Sequence, residues 1–274
     1  MKSIGFVDYY ISEWHANNYP VWIKEVCEKS GAQFEVKYAW AETEISPVDG
    51  KSTDTWCEEF GVQKCDSIAE LCEKSDYIVI LAPSNPEKHL EYAKEALKYG
   101  KNTYIDKTFS PDYATAKEIF DLAAEYGTRF FSTSALRYGT ELGELAGAKN
   151  LITTGGGGSI DEYIIHQAEM VVKLTDAEPL SVRVERQGGQ YLCHAELEGG
   201  CKATMIYAVG LPFTVSAELP TGITRYKNIT SDFFKLLIAD ILRFFESGES
   251  SFDTAQTLKV MKLREAVLKA CASK

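Results

Sequence analysis

Residues 77–110 read YIVILAPSNPEKHLEYAKEALKYGKNTYIDKTFS, and this stretch decides the fold. It opens on an unbroken apolar run, Tyr77 to Ala82, which suits a strand buried on both faces. A loop of Pro, Ser and Asn follows. Leu90, Ala93, Ala96 and Leu97 then recur at helical spacing, and Gly100 stands where a helix C-terminal stop belongs. Thr103 to Asp106 supplies the next strand. Strand, helix and strand in this order make a βαβ unit, which requires a parallel sheet covered by helices.

The same alternation extends in both directions. Ser3 to Val7 and Phe34 to Ala39 read as strands upstream, and Thr128 to Ser132 reads as one downstream. Pro111 and Asp112 open a helix with Ala114, Ile119, Phe120, Leu122 and Ala123 on its apolar side, which Gly127 ends. After about Ser134 the pattern changes to one long helix followed by successive strands. Leu180 to Leu219 alternates, with Gly188-Gly189 and Gly199-Gly200 as hairpin turns, and Ser231 to Phe245 and Thr254 to Ala270 read as amphipathic helices. The expected architecture is therefore α/β with two domains. A Rossmann-like parallel-sheet domain occupies 1–133, and an α+β domain built on an open, mainly antiparallel sheet occupies 134–274.

Bulk properties narrow the function. At 274 residues the chain is long enough for two cores, and 45% hydrophobic with 25% charged residues is ordinary for a globular protein. The 29 basic and 40 acidic residues leave a net charge of -11 without a basic patch, which argues against nucleic acid as a partner. No stretch approaches the roughly 18 apolar residues of a membrane span, and MKSIGFVDYY has no signal-peptide character, so a soluble cytoplasmic protein is expected. The seven cysteines are scattered without a CxxC pair and read as reduced thiols. Cys57, Cys65 and Cys72 lack regular ligand spacing, and no metal is expected there.

Three ordered blocks carry a resemblance to a known family. The first is LAPSNPEKHLEYAKEALKYGKN at 81–102, a strand, a loop with Pro83 and His89, and a helix. The second is YIDKTFS at 104–110, similar to a Glu-Lys-Pro block, with Asp106 for Glu, Lys107 kept and Thr108 for Pro. The third is YIIHQAEMV at 163–171, similar to His-x-x-Asp, with His166 kept and Glu169 for Asp. Ser132 to Tyr138 and FFESGESSFDTAQTLKVMKLREA extend the likeness over most of the chain. Together they resemble the glucose-fructose oxidoreductase / inositol dehydrogenase / MocA (Gfo/Idh/MocA) family. The resemblance implies an NAD(P)-dependent oxidoreductase acting on a sugar, cyclitol or related polyol, assembled as a homodimer or homotetramer. It implies catalytic roles for Lys107 and His166, with Glu169 supporting the histidine, and a cofactor side that includes Pro83 and His89.

The first strand departs from that pattern. A dinucleotide-binding βαβ unit places G-x-G-x-x-G after its first strand, because glycines allow the backbone to approach a diphosphate at the helix N-terminus. Here the positions read Asp8-Tyr9-Tyr10-Ile11-Ser12-Glu13. Asp8 and Ser12 have the chemistry of caps for the following helix, while Asp8, Tyr9, Tyr10, Glu13, Trp14, His15 and Asn18 also suit a remodelled ligand lining. Glu42, after the second strand, is the candidate ribose-gripping acid. His15, Asp106, Arg137, Glu162 and Tyr163 are candidate substrate contacts. Glu162, His166 and Glu169 are spaced to share a helical face, and Ser159 with Glu162 has capping-box spacing after the glycine run 155–158, a run that also suits a flexible substrate entry. The missing glycines keep an alternative open: a cofactor-free sugar-binding or regulatory protein on the same fold.

Overall fold

The computed structural model describes residues 1–273 and divides into two units. The first comprises Met1–Ser132 with Lys235–Phe252, and the second comprises Thr133–Phe234 with Asp253–Lys274.

In the first unit the elements run β1 (Lys2–Asp8), α1 (Trp14–Ser30), β2 (Phe34–Ala41), α2 (Thr53–Phe60), β3 (Gln63–Lys64), α3 (Ile68–Lys74), β4 (Tyr77–Ile80), α4 (His89–Ala96), β5 (Thr103–Ile105), α5 (Tyr113–Tyr126) and β6 (Phe130–Phe131). The strands form one sheet in the order β3-β2-β1-β4-β5-β6, every pairing parallel. Ile4, Phe6, Val79, Ile80 and Tyr104 are buried in it, as near-continuous apolar runs require. Gly100 and Gly127 end their helices in the left-handed conformation, and Asp112 caps α5 by accepting from the Thr115 amide at 2.7 Å. The strands expected over 77–82 and 128–132 are shorter than read, because Ala82 turns out of the ladder with φ 60 and only Phe130 and Phe131 pair.

The second unit contains β7 (Asn150–Gly155), α6 (Ile160–Thr175), β8 (Pro179–Gln187), β9 (Gln190–Leu197), β10 (Lys202–Tyr207), β11 (Thr214–Glu218) and β12 (Thr224–Asn228). Its sheet runs β12-β11-β7-β10-β9-β8, antiparallel except for the parallel β7–β10 pair. The hairpin turns at Gly188-Gly189 and Gly199-Gly200 join β8 to β9 and β9 to β10. Two strands, β7 and β12, were not legible as strands. NLITTG runs straight into a glycine run, and TRYKN is polar because it lies on the sheet edge. Helix α7 (Phe233–Ser247) returns the chain to the first unit, where Phe245 stacks on Tyr77 with ring centroids 4.7 Å apart. Helix α8 (Ala255–Ala272) packs beside α6 and β8.

Candidate functional site

In the first unit the candidate residues sit at the carboxyl ends of β1, β4 and β5, the edge where ligands bind in open parallel sheets. Asp8 ends β1 fully buried. Its Oδ1 accepts from the amides of Tyr9 at 2.7 Å and Ala82 at 3.0 Å, while Oδ2 has no hydrogen-bond partner among the described residues. Burial, then the neighbouring Glu13 charge, push the Asp8 carboxyl well above its usual range. The helix cap expected of Asp8 or Ser12 belongs instead to Glu13, whose extended backbone and longer side chain reach the first-turn amides. Its carboxylate accepts from His15 N at 2.8 Å and from Ala16 N. Ser12 Oγ is turned to Asp49 Oδ2 at 2.8 Å.

His15 and Asp106, read as substrate contacts, are both buried and spend polar atoms on each other, His15 Nδ1 facing Asp106 Oδ2. Tyr104 and Tyr19 donate to Asp106 Oδ1 at 3.1 and 3.3 Å. Burial alone would raise the Asp106 carboxyl, but the His15 charge and hydrogen bond, with Lys107, hold it below its usual range. Lys107 is half-buried and directs Nζ to the Pro83 carbonyl at 3.4 Å. His89 is fully buried between the carbonyls of Phe109, at 3.0 Å, and Leu81, so it ties the loop after β4 to the loop after β5. Glu42 lies at the surface, where Lys88 Nζ at 2.6 Å and the Tyr92 hydroxyl at 2.7 Å donate to it. Lys88 also lies 5.3 Å over the Tyr9 ring, and Tyr9 meets Tyr10 edge-on.

The second unit builds a site around His166 on α6. Its Nδ1 lies 2.7 Å from Ser134 Oγ. Glu169, one turn on, is buried and holds the segment carrying that serine: its carboxylate accepts from Ser134 N at 3.2 Å, Thr133 Oγ1 at 2.8 Å and Arg137 Nε at 2.5 Å. Glu169 is thus linked to His166 through Ser134, and the shared helical face of Glu162, His166 and Glu169 divides between half-buried and buried positions. Arg137 is buried as Glu169's partner and also donates to Gln256 Oε1 at 2.7 Å. Ser159 caps α6 through the Glu162 amide at 3.3 Å, as the capping-box spacing predicts.

Two half-buried rings flank the imidazole, Tyr163 and Phe213, each with its centroid 5.5 Å away. The glycine run makes room for them. A Cβ on Gly155 would lie 2.3 Å from the Phe213 ring, and one on Gly157 would lie 2.1 Å from the Tyr163 ring. The run read as a flexible entry is therefore a packed seat for rings. Ser134, Thr133, Phe213, Tyr19 and Tyr104 were not singled out from sequence. Ser134 lay inside the quoted Ser132 to Tyr138 block and Tyr104 two residues before Asp106 on the same strand, whereas Phe213 carried no local signal. Among the described residues, no group of three His, Cys, Asp or Glu side chains could hold a metal. Burial pushes the Cys57 and Cys65 thiols up to about 11 and Cys72 up to about 12.

Residues 28–134 match a family model described as "Oxidoreductase family, NAD-binding Rossmann fold" (Gfo/Idh/MocA). Over that segment the chain resembles the Gfo/Idh/MocA family. The chain is 40% identical, over 58 residues, to the uncharacterized oxidoreductase YhhX of Escherichia coli K12, a match covering 21% of this chain and 17% of that protein. The Gfo/Idh/MocA fold extends over the whole chain. UDP-N-acetylglucosamine 3-dehydrogenase GnnA of Acidithiobacillus ferrooxidans superposes with a TM-score of 0.76 at 13% identity, covering 98% of this chain and 97% of that one. A putative myo-inositol dehydrogenase of Sinorhizobium meliloti 1021 gives 0.73 at 12% identity, covering 100% and 98%.

The family description names NAD binding, and the residues of this chain do not fit the usual grip. The amides at the start of α1, where a Rossmann unit receives the diphosphate, are taken by Glu13, and Asp8 stands behind with a buried, unpartnered carboxylate oxygen.

Proposed function

We propose that this Gfo/Idh/MocA member acts on a sugar, cyclitol or related polyol, with His166 exchanging the proton of a substrate hydroxyl. The observation that carries the reading is the Ser134–His166 hydrogen bond, backed by the buried Glu169. The serine hydroxyl can accept from Nδ1–H, leaving Nε2 of the neutral ring as a base, and it accepts the same N–H from the imidazolium that returns the proton as an acid. Leu136 N occupies one acceptor position on Oγ at 3.2 Å, and the other is open to Nδ1–H. The pair therefore serves proton transfer in either direction. Tyr163 and Phe213 give apolar walls suited to the C–H faces of a ring polyol. Lys107, at the carboxyl end of β5 in the first unit, carries an ammonium of the kind that polarises a substrate oxygen. The fold neighbours named for an N-acetylglucosamine nucleotide and for myo-inositol point to the same substrate class. The reaction class in keeping with the family is interconversion of a carbinol and a carbonyl, in which a nicotinamide would carry the hydride and His166 the hydroxyl proton.

The Glu13 cap favours a second reading, in which a polyol ligand is bound without nicotinamide chemistry. One experiment addresses both. A thermal-shift panel of sugars, cyclitols and sugar acids is run on the full chain, and each hit is assayed for turnover with and without nicotinamide. A polyol that raises the melting temperature and turns over, with loss of turnover in His166→Ala and Lys107→Met, supports the first reading. A shift without turnover supports the second. A panel in which no polyol shifts the melting temperature overturns both.

A further inference from the structure

The start of α1 carries an anion of the chain's own making. A helix N-terminus exposes amide N–H groups and a partial positive charge, the combination that attracts a diphosphate in Rossmann units. Here both oxygens of one carboxylate occupy it: Glu13 Oε2 accepts from His15 N at 2.8 Å, and Oε1 accepts from Ala16 N. Glu13 is 5% exposed, so the carboxylate is packed in place. Behind it stand Asp8, with Oδ2 unpartnered, and Asp106, both buried. His15 faces Asp106, and Lys88 faces Glu42, so these two cations are engaged by other acids. Tyr9 and Tyr10 fill the loop where small residues would let a diphosphate approach.

We propose that Glu13 is a built-in plug: its carboxylate stands in for the diphosphate at the α1 N-terminus and keeps dinucleotides out of that position. An incoming diphosphate would have to displace a hydrogen-bonded carboxylate and then sit near the Asp106 carboxylate. The proposal concerns the first strand and first helix alone, and its success would leave His166 the polyol reading without nicotinamide chemistry.

The test replaces Glu13 by a residue that still caps the helix but is too short to fill the site. Glu13→Ser keeps an ordinary N-cap, so the fold has a means to survive. NADH and NADPH are titrated by fluorescence against the full-length wild type, Glu13→Ser and Asp8→Asn/Glu13→Ser. Inorganic pyrophosphate is titrated in parallel by calorimetry, and circular dichroism checks that each protein is folded. The expected result is no saturable binding to wild type below ~1 mM, and affinity at least about tenfold tighter in the double variant. Micromolar NADH or NADPH binding by wild type that Glu13→Ser leaves unchanged or weakens overturns the proposal. Folded variants that bind neither dinucleotide nor pyrophosphate also overturn it, since Glu13 would then not be what keeps them out.

Discussion

Ser134 and His166 are joined side chain to side chain, Oγ to Nδ1 at 2.7 Å, by residues far apart in sequence. The bond fixes the ring plane and can stabilise either neutral tautomer. Ser134→Ala removes it together with the bond Oγ accepts from Leu136 N, and keeps the Ser134 N–Glu169 bond. The variant is expected to lose about tenfold to a hundredfold in kcat on the polyol substrate, with KM little changed, as general acid–base catalysis depends on ring placement. Ser134→Thr should restore most of the loss. Nitrogen NMR of the His166 ring provides a readout independent of turnover, and a tautomer ratio unchanged in Ser134→Ala would rule out the positioning role.

Arg137 and Glu169 form a buried pair, Nε to Oε1 at 2.5 Å. Removing one partner strands the other charge away from water. Glu169→Ala is expected to cost about 3–5 kcal/mol in the unfolding of the second unit, and Arg137→Ala a similar amount. Urea unfolding followed by tryptophan-independent far-ultraviolet dichroism measures both. A loss under about 1 kcal/mol would show that water reaches the pair.

Asp8 should make stability fall as pH rises. Burial first, and then Glu13, raise its folded pKa well above 3.8, so the folded protein holds the proton more tightly than the unfolded chain. Its contribution is fully present below the unfolded pKa and is lost as pH climbs through the raised value. Asp8→Asn is therefore expected to melt above wild type at pH 8, with the difference closing as pH falls toward 4. Melting curves across that range give the comparison, and a difference that widens on acidification would contradict the assignment.

Glu141 has the opposite sign. Burial opposes its charge, but the amides of Thr230 at 3.0 Å and Ser231 at 2.9 Å, with the Ser231 hydroxyl at 2.8 Å, bind the carboxylate and lower its pKa from 4.5 to about 2. Its stabilisation is present above the unfolded value and is lost as pH falls through the folded one. Glu141→Gln should thus melt below wild type at pH 7, with the gap shrinking between pH 4.5 and about 2. A gap independent of pH would mean that the carboxylate charge is not what these donors read.

Gly157→Ala places a Cβ 2.1 Å from the Tyr163 ring. The ring must move, and overpacking of this kind costs about 1–3 kcal/mol. The His166 ring protons, which sense the neighbouring Tyr163, should shift in the NMR spectrum. An unshifted His166 would show that the two rings are not packed as described.

The parallel sheet of the first unit was legible because Tyr77 to Ala82, the helical stripe through Leu97 and the stop at Gly100 agree with one another at short range. The site was legible less evenly. Lys107 and His166 stood out within quoted blocks, and Glu169 was placed beside His166 by helical spacing. That spacing does not tell which group a carboxylate grips, and Glu169 reaches back to Thr133, Ser134 and Arg137. Likewise Asp8, Ser12 and Glu13 all have cap chemistry in sequence, and only the backbone of the loop selects Glu13.

By itself the sequence determined five of the six strands of the first unit with helices α4 and α5, the hairpin turns of the second and the absence of a glycine fingerprint. Each is written in periodicity or in the conformational demands of neighbouring residues. The tertiary structure alone decided that β7 is a central strand, that α7 returns to the first unit, and which groups surround His166 and cap α1. Those outcomes depend on contacts between residues distant along the chain, whose hydrogen bonds and burial leave no trace in local spacing.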